Sequence, residues 1–356
     1  MTSLIIGLSV ILVLIIIYLI FRVSNLMTIA KGAKSERTDS SNSLNAALFI
    51  VFMVVSLGVF FWYSFAYFED YNLPIASVHG AWTDTLFWIT MAVTVVAFSI
   101  ISIIMFVFIY QYRYQEGRKA KFYPDNHYLE LAWTIIPAIV LAVLIFTGLR
   151  AWNDITAPAK QDAEVIELVA QQFAWNVRYP GVKDNKLGKH NFRLIDGVNQ
   201  LGLDLTDKNS FDDFQSLQLH IPKGKEVLLK IRAKDVLHSV YLPHFRIKMD
   251  AVPGMTTQFK FTATKTTQEM RDELGNPNFN YELACAEICG QGHFSMRMEV
   301  VVDDEETFEK WKKGQESWLK QNPDYMKKVP DALKEAAMIK SGMQNDPGAT
   351  VAGVVN

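Results

Sequence analysis

Cysteine is nearly absent from this chain: 356 residues contain two. A framework of several disulfides is thereby excluded, and one bridge at most can form. Neither cysteine begins a Cys-x-x-Cys-His run, so no c-type haem attaches here. With none near the start, a lipid anchor on an N-terminal cysteine is not expected. Net charge is also scarce, −2 from 35 Lys+Arg and 37 Asp+Glu, and this argues against a nucleic-acid partner. Histidine is limited to seven residues, too few for a histidine-rich catalytic copper cluster.

Charge is missing locally as well. Four apolar runs, residues 4–21, 46–68, 85–110 and 131–148, contain no lysine or arginine. A helix needs about 20 apolar residues to cross a bilayer, so four transmembrane helices are expected. The first run lacks the basic flank and cleavage site of a signal peptide. Arg22, Lys31, Lys34 and Arg37 follow the first run, and Arg113, Arg118, Lys119 and Lys121 follow the third, whereas the loop over 69–84 has no lysine or arginine. By the positive-inside rule the first and third loops face the cytoplasm. The N-terminus and everything beyond residue 150 then lie outside. Aromatic clusters at Phe60, Phe61, Trp62 and Tyr63, and at Phe87 and Trp88, suit the membrane interface.

From about residue 163 the pattern changes to short alternating runs. Strands are expected over 164–170, 215–221, 226–232, 255–262 and 296–302, with turns at Pro222-Lys223-Gly224 and Pro253-Gly254. Such spacing indicates a β-sandwich or barrel. The polar stretch over 181–213 reads as a surface insertion that contacts a partner. After Asp303, residues 305–320 have helical spacing with Phe308, Trp311 and Trp318 on one side, and a second amphipathic piece spans 330–340.

Both cysteines stand in one stretch, Cys285-Ala-Glu-Ile-Cys289-Gly-Gln-Gly-His293-Phe-Ser-Met296. Soft sulfur with imidazole suits copper better than magnesium, calcium or manganese. One cysteine with histidines and a distant methionine would indicate a mononuclear site. Two allow thiolates to bridge two copper ions, each needing a terminal histidine, and His238 is available upstream. A disulfide and a structural zinc site are the alternatives, though zinc has no use for Met296.

The stretch resembles the motif Cys-x-Glu-x-Cys-x-x-x-His-x-x-Met of subunit 2 of the haem-copper cytochrome c oxidases, which carries the binuclear CuA centre. Val236-Leu237-His238-Ser239 matches the family's upstream histidine segment, and the resemblance covers residues 80 to 305. It implies a cupredoxin-like Greek-key β-barrel behind four membrane helices, in a bacterial form with two additional N-terminal helices. The implied division is 1–70 for the additional helices, 80–152 for the two-helix anchor, 160–305 for the CuA domain and 306–356 for a partly helical tail. By resemblance Cys285 and Cys289 bridge both coppers. His238 and Met296 complete one copper, and His293 and the Glu287 carbonyl complete the other. The Glu287 carboxylate would hold magnesium at the border with subunit 1.

Two further roles follow from the resemblance. Glu130, at the start of the last apolar run, matches a glutamate at the mouth of a proton path. The run Gln172-Phe173-Ala174-Trp175 through Tyr179-Pro180-Gly181 resembles the aromatic patch where electrons from cytochrome c arrive through a tryptophan. Phe173 occupies that position here, and Trp175 matches the second tryptophan. Of the other histidines, His244 is expected to be a surface or packing residue, and His79, His127, His190 and His220 structural. The implied activity is that of a terminal oxidase subunit in a bacterial plasma membrane. It would take electrons from a separate cytochrome c onto CuA and pass them to subunit 1, where oxygen is reduced with proton translocation. Other oxidase subunits and membrane lipid are the further partners. A quinol oxidase subunit would lack the copper ligands. A membrane-anchored copper assembly factor would hold copper without bridging two ions.

Overall fold

The structure, a computed structural model, describes residues 2–30, 41–115, 117–182 and 184–345. The chain forms two compact units, residues 1–68 with 93–127, and residues 69–92 with 128–356.

The first unit is helical. It contains α1 (Thr2–Ala30), α2 (Ser41–Ala66) and the later part of a long helix that begins in the other unit. A four-residue turn of helix, α3 (Phe68–Tyr71), precedes that long helix, α4 (Val78–Gln111). Phe49 and Phe52 of α2 pack on Phe106 of α4, with ring centroids 6.1 and 5.9 Å apart. Among the described residues α2, α4 and the later α5 (His127–Thr156) are long and apolar enough to cross a membrane. At most 6 % of their most apolar windows is buried within the chain itself, so these faces are left for lipid or other subunits to cover. Hydroxyls within these helices bond back to their own backbone, as Ser64 does to the Phe60 carbonyl and Thr90 to the Leu86 carbonyl. This leaves no hydroxyl donor facing hydrocarbon at those positions.

Among the described residues of α1 (Thr2–Ala30), Ile11–Met27 forms an apolar stretch. Arg22 lies inside this helix instead of the loop after it, while Lys31, Lys34 and Arg37 fall outside the described residues.

In the second unit α5 leads into a sandwich of two five-stranded sheets. The strands are β1 (Glu164–Gln171), β2 (Ala174–Tyr179), β3 (Phe214–Ser216), β4 (Leu219–Pro222) and β5 (Glu226–Ala233). They continue with β6 (His238–Leu242), β7 (Ile247–Ala251), β8 (Thr257–Thr262), β9 (Tyr281–Cys285) and β10 (Arg297–Asp303). One sheet has the order β3-β2-β1-β5-β8 and the other β4-β10-β9-β6-β7. Alternating apolar residues such as Ile166, Leu168, Leu229, Ile231, Leu283 and Val300 fill the space between them. The single strand expected over 215–221 is two strands in different sheets. Leu217, 94 % exposed, marks where the chain crosses.

The membrane helix is tied to this sandwich at its start. Ser77 donates to the Phe245 carbonyl at 2.7 Å, and Arg246 clasps Asp84 with contacts of 2.7 and 2.9 Å.

The polar insertion meets the chain's own tail. Leu203, Leu205 and Phe211 pack with Trp318, Leu319, Val329, Ala337 and Met343 in a second small core. Burial of this apolar face by residues over 100 positions away is long-range information that local composition does not carry. The tail is also not one helix over 305–320. Gly314 ends α7 (Glu305–Lys313), and Ser317 caps α8 (Trp318–Gln321) before α9 (Lys334–Ser341). Trp311 therefore packs on Tyr179 and Phe214, whereas Trp318 belongs to the second core.

A buried ionic cluster fastens the root of the insertion to the first sheet. Arg178 on β2 contacts Glu167 on β1 and Asp213, both at 2.7 Å, and Arg232 on β5 reaches Glu167 at 3.0 Å. All four side chains are buried. Burial acts to raise the Glu167 carboxyl, but Arg178 and Arg232 outweigh it and hold the group at about 2. Asp213 has fewer cations, and burial pushes it up to about 7.

Candidate metal centre

Three strands converge on the cysteine stretch. His238 opens β6, Cys285 ends β9, and residues 286–296 form the loop that leads into β10. Pairing of Val240 with Cys285 fixes β6 against β9, so His238 and Cys285 come to the same end of the sheet. The two cysteines are free thiols with sulfurs 3.9 Å apart. His238 Nδ1 is 3.8 Å from Cys285 Sγ, and His293 Nδ1 is 3.7 Å from Cys289 Sγ. Met296 Sδ lies 3.9 Å from Cys289 Sγ. The Glu287 carbonyl is 3.2 Å from Cys285 Sγ, while its side chain is exposed. His238, Cys289 and Met296 are buried, and His293 and Cys285 are partly covered.

The surroundings fix these groups. His238 Nε2 lies 2.9 Å from Asp235 Oδ1, which places the proton on Nε2 and leaves the Nδ1 lone pair facing sulfur. The other Asp235 oxygen accepts from the Gln172 backbone N–H at 2.7 Å. Burial opposes ionisation of Asp235, but these donors outweigh it and keep the carboxyl below its ordinary range. Gln172 also donates through Nε2 to the Cys289 carbonyl at 2.6 Å. Gln172 and Asp235 are the residues sequence reasoning missed. The one signal was the spacing of three between Asp235 and His238.

Phe173 lies on the loop. A Cβ at Gly292 would come within 2.5 Å of its ring, and Gly290, at φ 133, brings the backbone similarly close. The ring is 39 % exposed. Trp175 is buried, with its ring edge-on to His238 at 6.2 Å and its Nε1 donating to the Met296 carbonyl at 3.4 Å. Glu130 is not brought here. It stands in the first turn of α5, and the 30-residue helix separates it by roughly 40 Å from the sandwich end. Two other histidines pack against aromatic rings. His220 stacks on Trp311 at 4.0 Å, and His244 lies against Phe279 and Tyr281.

The donor set fits copper. Two thiols within reach of each other, each with its own imidazole, supply soft ligands for two ions. Burial, then the neighbouring Cys285, pushes the Cys289 thiol up to about 11. A metal ion must therefore displace that proton as it binds.

The family profile described as "Cytochrome C oxidase subunit II, periplasmic domain" matches residues 164–304, and that for the transmembrane domain of the same subunit matches residues 66–151. An "Alternative cytochrome c oxidase subunit 2" from Bradyrhizobium diazoefficiens is 32% identical over 277 residues, 76% of this chain and 92% of that protein. The chain belongs to the cytochrome c oxidase subunit II family. A cytochrome c oxidase subunit 2 from Thermostichus vulcanus is 29% identical over 267 residues, 67% of this chain and 76% of that one. Among solved structures, the periplasmic domain of subunit II of cytochrome oxidase from Bradyrhizobium japonicum aligns with a TM-score of 0.30 at 22% identity, covering 44% of this chain and 94% of that one. The His238, Cys285 and Cys289 group fits the CuA centre of a subunit II.

Within this subunit II site, the Asp235 carboxylate has a measurable part. Asp235→Ala is expected to weaken copper binding by about 10- to 100-fold, the usual cost of losing the carboxylate behind a histidine ligand. Asp235→Asn, which can still accept from Nε2, should lose less. Competition with a copper chelator measures both, and equal affinity in Asp235→Ala and the parent would refute the role.

Proposed function

We propose that this subunit II accepts electrons from a cytochrome c and delivers them to the haem-copper subunit I, where oxygen is reduced to water with proton translocation. The observation that carries the reading is the pair of free thiols, each with its own imidazole. Cys285, Cys289, His238, His293, Met296 and the Glu287 carbonyl would hold the copper pair, with His238 on the Cys285 side of the site and His293 and Met296 on the Cys289 side. When bound, the copper pair supplies a one-electron relay. Strands β6 and β9 hold His238 and Cys285, and Gln172 pins the loop that carries the other groups at the Cys289 carbonyl, so little rearrangement would accompany a change of charge. Electrons arrive beside Phe173 and Trp175, which cover the loop and His238. The exposed Glu287 carboxylate would hold magnesium at the border with subunit I.

The chain sits in a bacterial plasma membrane, with α1 as a fourth span and the CuA domain on the periplasmic side. The parallel pairs β1/β5 and β4/β10 support Greek-key connections, since parallel neighbours need crossovers. Rapid mixing of reduced cytochrome c with the oxidase tests the electron route. Copper should be reduced before haem, and haem reduction at the parent's rate in copper-depleted enzyme would overturn it.

Glu130 stands where a carboxylate can collect cytoplasmic protons. Glu130→Gln keeps the size and removes the charge. It is expected to slow steady-state oxygen consumption while copper content and electron transfer from the donor stay unaltered. Turnover equal to the parent's across neutral pH, in an intact complex, would reduce Glu130 to a solvated boundary residue.

A further inference from the structure

We propose that the loop between α4 and α5 binds the phosphate headgroup of an anionic membrane lipid. The inference rests on the membrane reading of these helices and not on the copper chemistry. The loop leaves α4 at Gln111 and enters α5 at His127. A cavity of about 720 Å³ opens within it, lined by Arg113, Arg118, Lys119 and Lys121 together with Tyr112 and Tyr114. No carboxylate is among its described lining residues.

Two of the cations are held in place. Arg113 donates to the Tyr110 carbonyl at 2.7 Å and lies over the Tyr110 ring at 4.5 Å. Arg118 donates to the Gln111 carbonyl and lies over the Tyr112 ring at 5.4 Å. Arg113 Nε is shielded from solvent and has no hydrogen-bond partner among the described residues. The side chain of Asn42, at the start of α2, donates to the Tyr114 carbonyl at 3.0 Å and steadies the loop.

The aromatic residues identify the source of the phosphate. Phe122 is 90 % exposed and Tyr123 76 % exposed. Both flanking helices are apolar and of membrane length, so the loop lies at the bilayer surface whichever side it faces. Rings at that depth sit among headgroups. A free phosphate would satisfy the cations and leave the rings in water. An anionic lipid satisfies both, with phosphate oxygens against the guanidinium and ammonium groups and acyl chains along the helices.

The test uses the intact oxidase complex in phosphatidylcholine nanodiscs, with and without phosphatidylglycerol, read by hydrogen–deuterium exchange over residues 112–123. Phosphatidylglycerol should slow exchange there severalfold. R118Q/K119Q/K121Q should abolish that protection and lower phosphatidylglycerol retention in native mass spectrometry by roughly fivefold per charge removed. K119R/K121R, which keeps the charge, should retain both. Equal exchange in the two lipids, or protection persisting in the glutamine variant, would overturn the proposal. So would inorganic phosphate reproducing the protection in pure phosphatidylcholine, since a free anion would then be the ligand.

Discussion

Cys289→Ser is expected to destroy the binuclear centre. The Cys289 sulfur stands 3.9 Å from Cys285 Sγ, 3.7 Å from His293 Nδ1 and 3.9 Å from Met296 Sδ, so it joins both halves of the site. A serine hydroxyl stays protonated at neutral pH and cannot bridge two ions as a thiolate does. Copper content should fall from two ions per chain to one or none, and electron transfer to subunit I should fail. Cys285→Ser should behave alike, because its sulfur faces His238 and the Glu287 carbonyl. Met296→Leu should keep copper and shift its potential, since thioether is the weak ligand. Two coppers and full turnover in Cys289→Ser would contradict the assignment.

The second large effect concerns folding. Arg178 pairs with Glu167 and Asp213 where all three side chains are buried, and it also donates to the Gly188 carbonyl at 3.0 Å. Arg178→Met should cost about 3–5 kcal/mol of stability, because both carboxylates lose their central buried partner. Denaturant unfolding of the purified chain in detergent measures it, and a change below about 1 kcal/mol would show the cluster to be dispensable.

The pH dependence of the parent has two opposed parts. Glu167, held at about 2, contributes stability that is present above the ordinary carboxylate range and lost as pH falls toward 2. Asp213, raised to about 7, works the other way. Its folded form binds a proton that the unfolded chain has released, so stability declines as pH rises from about 4 to about 7. Without Arg178 the Asp213 carboxyl should rise further, and mild acid should recover part of the loss.

The candidate metal-binding side chains that the structure brings together were legible in the sequence because four of the five stand in one twelve-residue stretch, and His238 carries its own local signature. Their supports were less so. Gln172 reaches the Cys289 carbonyl only because the turn between β1 and β2 lies over the copper loop, a contact across 117 positions. The split of β3 from β4 escaped notice because one alternating apolar run can serve two sheets in succession. The insertion read as a partner surface because its polar composition conceals Leu203, Leu205 and Phe211, which the tail covers. Membrane spans were legible from length and absence of charge, but Arg22 did not mark the end of α1. A helix continues past a single arginine whose long side chain can reach the interface.

The most direct test is the electron paramagnetic resonance spectrum of the copper-loaded protein. Two coppers sharing one unpaired electron through Cys285 and Cys289 should give a seven-line hyperfine pattern, because both nuclei couple equally. A four-line pattern would place the electron on a single copper and contradict the binuclear centre.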